Sequence, residues 1–162
     1  MKIPITFFAP AERKPVDLVR RQADSFNQAP LTRTFVNGTM NYLMVLNPQR
    51  QIVVASETVL DLVPDRTMDQ IVGLRPGEAL GCIYAYQCDS GCGTSQACRQ
   101  CGAVRVILRG LDGCRDMQEC HMTRLIHGRQ EVLHLRILAT PLVHGEARYT
   151  LLAIMDISEQ KR

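Results

Sequence analysis

All 7 cysteines of this 162-residue chain lie between Cys82 and Cys120, and the residues on either side contain none. A group this dense ties the middle of the chain to one local chemistry, and whatever fold forms must accommodate it. The odd count argues against a complete set of structural disulfides. Clustered thiols in a chain without export signals point instead to metal or redox chemistry in a reducing compartment. The apolar stretch near the N-terminus is shorter than the roughly 7–15 residues of a secretory core. No apolar run approaches the roughly 18–20 residues of a membrane span. The sequence therefore reads as cytoplasmic, with no membrane partner. The balance of 19 Lys+Arg against 16 Asp+Glu, only 5% aromatic residues and the absence of Trp give no footprint for nucleic acid.

Around the cysteines the pattern is that of one α+β unit. Pro15 to Asn27 places Val16, Val19, Ala23 and Phe26 at helical spacing, with Pro15 suited to a first turn. One small domain offers little to cover that stripe, so a second copy is expected to pack on it as a homodimer. Leu31 to Val36 adds a helical turn. Tyr42–Leu46 and Gln51–Ala55 are short apolar runs separated by the turn sequence Asn47-Pro48-Gln49-Arg50, which predicts a hairpin. Ser56 caps a short helix from Glu57 to Val63, with Pro64 to stop it. Gly73, Pro76, Gly77 and Gly81 then punctuate a set of small elements. Ser95 is placed to cap a helix over 96–108, with Ala97, Cys101, Val104 and Leu108 on one face. Three strands close the chain, Met117–Ile126, Glu131–Val143 and Ala147–Ile157, with turns at His127-Gly128-Arg129 and His144-Gly145-Glu146. This order predicts a five-stranded antiparallel sheet with helices on one face and an N-terminal amphipathic helix.

Cys92-x5-Cys98-x2-Cys101 is the chemically informative spacing. On one helix Cys98 and Cys101 face the same way, and Gly91 and Gly93 let the Cys92 loop fold back towards the helix start. Peptide N–H groups there favour thiolate. A four-thiolate site needs one more ligand, from Cys82, Cys88, Cys114 or Cys120. Zinc prefers paired Cys knuckles, and only one such pair is present. An iron–sulfur cluster spans the gap to a distant ligand more readily, which favours [4Fe–4S], with Zn as the alternative. Reversible thiol oxidation without metal is a third option. His121, His127, His134 and His144 sit on or between strands and read as solvated groups. Arg75 and Glu78 read as a structural pair around a turn. No Ser–His–Asp order or carboxylate pair suggests an enzyme.

The hairpin YLMVLNPQRQIVVAS, the three long strands and the closing DISEQKR resemble a PAS sensor domain over about residues 38–162, leaving 1–37 as a helical flank and 82–120 as a Cys-rich insert. GLRPGEALGC (73–82), GCGTSQACRQCGAV (91–104) and Glu119-Cys120 resemble a cysteine-rich subgroup of bacterial signalling PAS domains. The resemblance favours Cys82 and Cys120 over Cys88 and Cys114 as the fourth ligand. Cys120 would tie helix to sheet, and Cys82 is a near-equal alternative. Where related sequences often carry His, this chain has Tyr84, so any role of that His is missing. The resemblance implies a signalling module that senses redox state, oxygen or iron through the metal centre. Its output partner would be a domain such as a histidine kinase or cyclase, and the chain would be either a stand-alone sensor or a piece of a longer protein. A purely structural or protein-interaction domain stabilised by zinc is the competing class.

Overall fold

Residues 5–63 and 65–161 are described by the computed structural model. Tyr42–Leu46 (β1) and Ile52–Ala55 (β2) pair antiparallel, and the side chain of Asn47 closes their turn by accepting the N–H groups of Gln49 at 3.0 Å and Gln51 at 2.9 Å. That internal bond holds Arg50 in the left-handed region, at φ 66°. Asp116–Ile126 (β3), Arg129–His144 (β4) and Ala147–Asp156 (β5) form a meander, and β1 joins it along β5, giving the order β2-β1-β5-β4-β3. The β3–β4 link is a two-residue turn, His127-Gly128, with both φ angles positive (50° and 77°), the twist that matches two right-handed strands.

Period-two alternation gives this sheet two apolar faces. Met44, Leu46, Ile137, Leu135, Leu152 and Ile154 point to one of them. There they meet the short helices α3 (Val59–Leu62), α4 (Met68–Ile71) and α5 (Pro76–Leu80), and the longer α6 (Gly102–Leu111). Val45, Val53, Val54 and Tyr149 point to the opposite face. Helix α1 (Val16–Asn27) lies on that face with Val19, Ala23 and Phe26 buried, followed by α2 (Thr32–Asn37). The stripe that suggested a second copy is thus covered by the chain's own sheet, while Val16 stays 52% exposed. The argument for a homodimer built on α1 falls away, and the flank does not stand apart from the domain.

The helix expected over 96–108 is two elements. Gln96–Gln100 is a 3₁₀ turn, tightened by N–H groups of Cys98 and Cys101 that donate to Ser95 and Cys98 carbonyls, each at 3.1 Å. Cys101 is extended (φ −79°, ψ 116°) and serves as N-cap of α6. The face Ala97–Cys101–Val104–Leu108 therefore does not run along one helix; α6 buries Ala103, Val106, Ile107 and Gly110 on the sheet instead. Pro64, the expected helix stop, lies outside the described residues.

Phe26 stacks on His144 with ring centroids 4.0 Å apart and meets Tyr149 edge-on at 4.9 Å. Phe26→Ala is expected to cost about 3–5 kcal/mol in urea unfolding, the usual range for emptying a buried aromatic site. A loss well below 1 kcal/mol would show that α1 contributes little to the core.

Candidate metal centre

Between the start of α6 and the inner face of the sheet lies a cavity of about 350 Å³. Five of the seven cysteines line it, Cys82, Cys92, Cys98, Cys101 and Cys120, against walls that include Ile107, Met122, Ile137 and Leu152, with Tyr84 on its border. Cys88 and Cys114 are not among its walls; Cys114 is exposed, and Cys88 directs its thiol to the Thr94 carbonyl at 3.9 Å.

Each thiol arrives by its own local device. Cys101 caps α6, and the next residue is Gly102, where a Cβ would collide with the backbone carbonyl of Glu119 on β3. Only glycine lets the helix begin this close to the strand. The approach brings the Cys101 sulfur to 3.7 Å from that of Cys120, the inward-facing residue after Glu119. Cys92 sits between Gly91 and Gly93, both at φ 89°, and packs on Gly77, where a Cβ would come within 2.7 Å of its sulfur and 3.4 Å of the Cys82 Cβ. Cys82 follows Gly81, the left-handed end of α5, and bridges to Arg124 of β3. Cys98 is buried, 3.2 Å from the Ser95 hydroxyl.

The thiols differ in charge. Cys120 gives its proton to the hydrogen bond with Cys101, and the Ala103 and Val104 N–H groups and Arg105 add to this, so Cys101 is pulled down to about 6 against the cost of its burial. The same bond, with burial, pushes Cys120 well up. Burial pushes Cys92 up to about 12 and raises Cys82. A cation entering the cavity would displace these protons, which makes binding pH-dependent. Among the described residues no three His, Cys, Asp or Glu side chains converge on one point as a single ion requires. The thiols surround a space.

A cationic cluster stands behind the Cys92 loop. Arg75 is fully buried, and its guanidinium donates to the carbonyls of Gln49 and Ser90 at 2.9 Å each and of Glu12 at 2.8 Å. Burial, then Arg50 and Arg13, lower it to about 9, still a cation at neutral pH. Arg50 donates to Pro10 O at 2.9 Å and Cys92 O at 3.1 Å. Arg13 clasps the Glu78 carboxylate, which also accepts the N–H groups of Cys92 (2.9 Å) and Arg75 (3.1 Å). Burial raises Glu78, but these donors outweigh it and hold the carboxylate below its usual range. The expected Arg75–Glu78 contact is thus made by the Arg75 backbone, while Arg13 provides the ion pair. The same groups anchor residues 5–15 as a strap: Phe7 and Ala9 N–H donate to Thr94 O and Gly93 O at 2.8 and 3.0 Å. The NPQR sequence suggested only a turn, so Arg50 was not legible as part of this site, and neither was the strap.

No family model and no curated protein sequence matches the chain. Solved structures do. A PAS domain of an HTR-like protein from Haloarcula marismortui superposes with a TM-score of 0.53 at 12% identity, covering 81% of this chain and 98% of that one. A PAS domain from Colwellia psychrerythraea gives 0.52 at 12% identity, covering 88% and 99%. A LOV protein from Rhodobacter sphaeroides gives 0.53 at 15% identity, covering 85% and 67%. The chain has the PAS fold, and no described helix is long and apolar enough to cross a membrane.

Two outcomes follow for the reduced, metal-free protein. Because Cys101 is lowered, its thiolate persists above about pH 6 and is lost as pH falls below it. Alkylation at Cys101, followed by mass spectrometry, should reach half its plateau near that pH, whereas an ordinary thiol does so at about 8.5. Cys120→Ala removes the donor and should move the half-point upward. Gly102→Val should push α6 off β3 and produce the same upward displacement; an unchanged profile in both variants would show that the Cys101–Cys120 contact does not set it.

Proposed function

We propose that this chain is a cytoplasmic signal-sensing module whose input is read at the thiol cavity, where cysteines hold an iron–sulfur cluster, [4Fe–4S], that reports redox state, oxygen or iron supply. The observation that carries this reading is the gathering of five thiols from α5's end, the Cys92 loop, the 3₁₀ turn at Cys98, the α6 cap and β3 around one apolar space. Thiolates that surround a space rather than a point suit a cluster, whose own iron and sulfide bridge several ångströms, better than one zinc ion. The group, when bound, supplies the redox and oxygen chemistry. The protein's own residues shape, shield and charge its seat.

Cys92, Cys98 and Cys101 are the local ligands. Cys120 is the favoured fourth, because ligation from β3 would make the α6–sheet contact depend on the centre; Cys82 is the alternative. Loss of the centre would free the Cys92–Cys101 loop and alter what α6 and the sheet present to an output partner, such as a histidine kinase or cyclase domain. The reading is therefore a sensor, with any enzymatic output assigned to the partner domain.

A second reading has its own observation. Cys101 and Cys120 touch through their sulfurs at 3.7 Å, a thiol contact that would have to close to about 2.05 Å to become a disulfide. Two thiols losing two electrons and two protons to an oxidant such as peroxide would give that bond without any metal.

Anaerobic preparation separates these readings. Iron and acid-labile sulfide with broad absorbance near 400 nm are expected. Ser substitution at Cys92, Cys98 or Cys101 should abolish binding, while Cys88→Ser and Cys114→Ser should leave it whole. Loss in only one of Cys82→Ser and Cys120→Ser names the fourth ligand. A colourless protein with stoichiometric zinc would overturn the sensor in favour of a structural domain. A metal-free protein that forms a Cys101–Cys120 disulfide would favour the thiol switch.

A further inference from the structure

The guanidinium groups of Arg13, Arg50 and Arg75 converge behind the Cys92 loop, and Glu78 is the one carboxylate that bonds to this cluster among the described residues. Three positive charges against one negative leave a surplus of two. Arg50 and Arg75 are 2% and 0% exposed, so water does not screen that surplus. Their bonds go instead to neutral carbonyls of Pro10, Ala11, Glu12, Gln49, Ser90 and Cys92. Buried charge without counter-charge is costly, and a protein that concentrates it beside a cavity is built for an anion there. The cavity supplies one. Cys92 and Cys98 lie in the field of Arg50, and Cys92 in that of Arg75. A cluster held by four thiolates carries roughly two units of negative charge, and so does a zinc tetrathiolate.

The same arginines also hold the strap. Arg75 and Arg50 bind the carbonyls of residues 10–12, and Arg13 lies within it. Ala9 packs on Cys98 and Val104, and Arg99 Nε donates to Phe7 O at 2.8 Å. Just before Val16, the backbone of Lys14 exchanges bonds of 2.9 and 3.0 Å with the Gln51 amide, so the strap runs directly into α1.

We infer that Arg50 and Arg75 are the counter-charge of the thiolate-bound centre, and that the strap 5–15, hung on the same guanidinium groups and on the Cys92 loop, is the element that the bound centre holds in place and its loss releases. This rests on the proposed metal reading. With the centre bound, the guanidinium surplus is neutralised and the strap lies fixed across the Cys92 loop. When iron and sulfide leave, ligation no longer fixes the Cys92 loop, so the Thr94 and Gly93 carbonyls that accept from Phe7 and Ala9, and the Ser90 and Cys92 carbonyls that hold Arg75 and Arg50, lose their fixed positions. The strap loosens, and with it the N-terminal end of α1 on the far face of the sheet.

The test compares hydrogen exchange of the full chain, metal-free and reconstituted anaerobically with ferrous iron and sulfide. The Phe7 and Ala9 amides, which donate to Thr94 and Gly93, should exchange roughly tenfold more slowly when the cluster is bound. In reconstituted Arg50→Gln that difference should shrink to about twofold or less, and the midpoint potential should move to a more negative value, because a cation that stabilises the reduced centre is gone. Arg50→Lys should restore the potential, which a merely structural role would not predict. Should Arg50→Gln fail to fold, Arg13→Gln, at a side chain 32% exposed, should move both readouts in the same directions. A bound cluster with unchanged Phe7 and Ala9 exchange, or with an unchanged potential in the folded arginine variant, overturns the inference and leaves the metal reading standing. Absence of bound iron and sulfide overturns both.

Discussion

The buried guanidinium of Arg75 is the interaction on which the centre of this molecule depends. Its donors reach the hairpin turn at Gln49, the Cys92 loop at Ser90 and the strap at Glu12, three segments with no regular hydrogen-bonded ladder between them. Arginine suits this position because its fork of fixed donors satisfies several carbonyls at once, which a lysine could not do with one compact ammonium. The desolvation cost is large, and it is offset only because almost every donor finds an acceptor. Removing the guanidinium would leave those carbonyls buried and unpaired, so the hairpin, the cysteine loop and the strap would lose their common anchor together.

The cavity is the complementary feature. A PAS sheet of this size could fill the space under α6 with Leu or Ile, but here that space is walled by five small thiols and left open. Packing forgone in this way is destabilising unless a ligand occupies the space. Glycine makes the arrangement feasible at two close approaches. Gly102 sets α6 against the carbonyl of Glu119, and Gly77 sets α5 against the Cys92 sulfur. Neither contact tolerates a Cβ without moving backbone or loop. The site is thus specified as much by where side chains are absent as by the cysteines themselves.

Much of the fold was legible because it rests on local periodicity. The hairpin, the three long strands and α1 each carry a period of two or 3.6 that survives in the structure, with ends displaced by one or two residues. The segment 96–108 was misread because a helical spacing of apolar residues cannot distinguish one helix from a 3₁₀ turn followed by another. The break at Cys101 comes from its extended backbone and from the tertiary contact with β3, neither of which the spacing records. The covering of α1 was missed for a related reason. Val45, Val53 and Tyr149 form a second apolar face, but β1 and β2 are so short and so fully buried that alternation does not reveal which residues point away from the main core. The cysteines announced the chemistry, whereas Arg50 and the strap are long-range partners with no local pattern to betray them.

The break at Cys101 and the packing of α1 on the sheet meet in one structural consequence. Because α1 lies on the face of the sheet opposite the cavity, a single stretch of chain touches both sides: residues 5–15 lie on the Cys92 loop, and residues 16–27 lie on β1, β2 and β5. Between them Pro15 precedes the first turn, and Gln51 pins Lys14 to the hairpin. A displacement of the strap is therefore not absorbed by a flexible linker; it must pass through that pin to the start of α1 or break the pin. The inner face carries the chemistry and the outer face carries the helix. The strap is covalently continuous with α1 and hydrogen-bonded to the cysteine loop, so it joins the two without passing through the sheet strands.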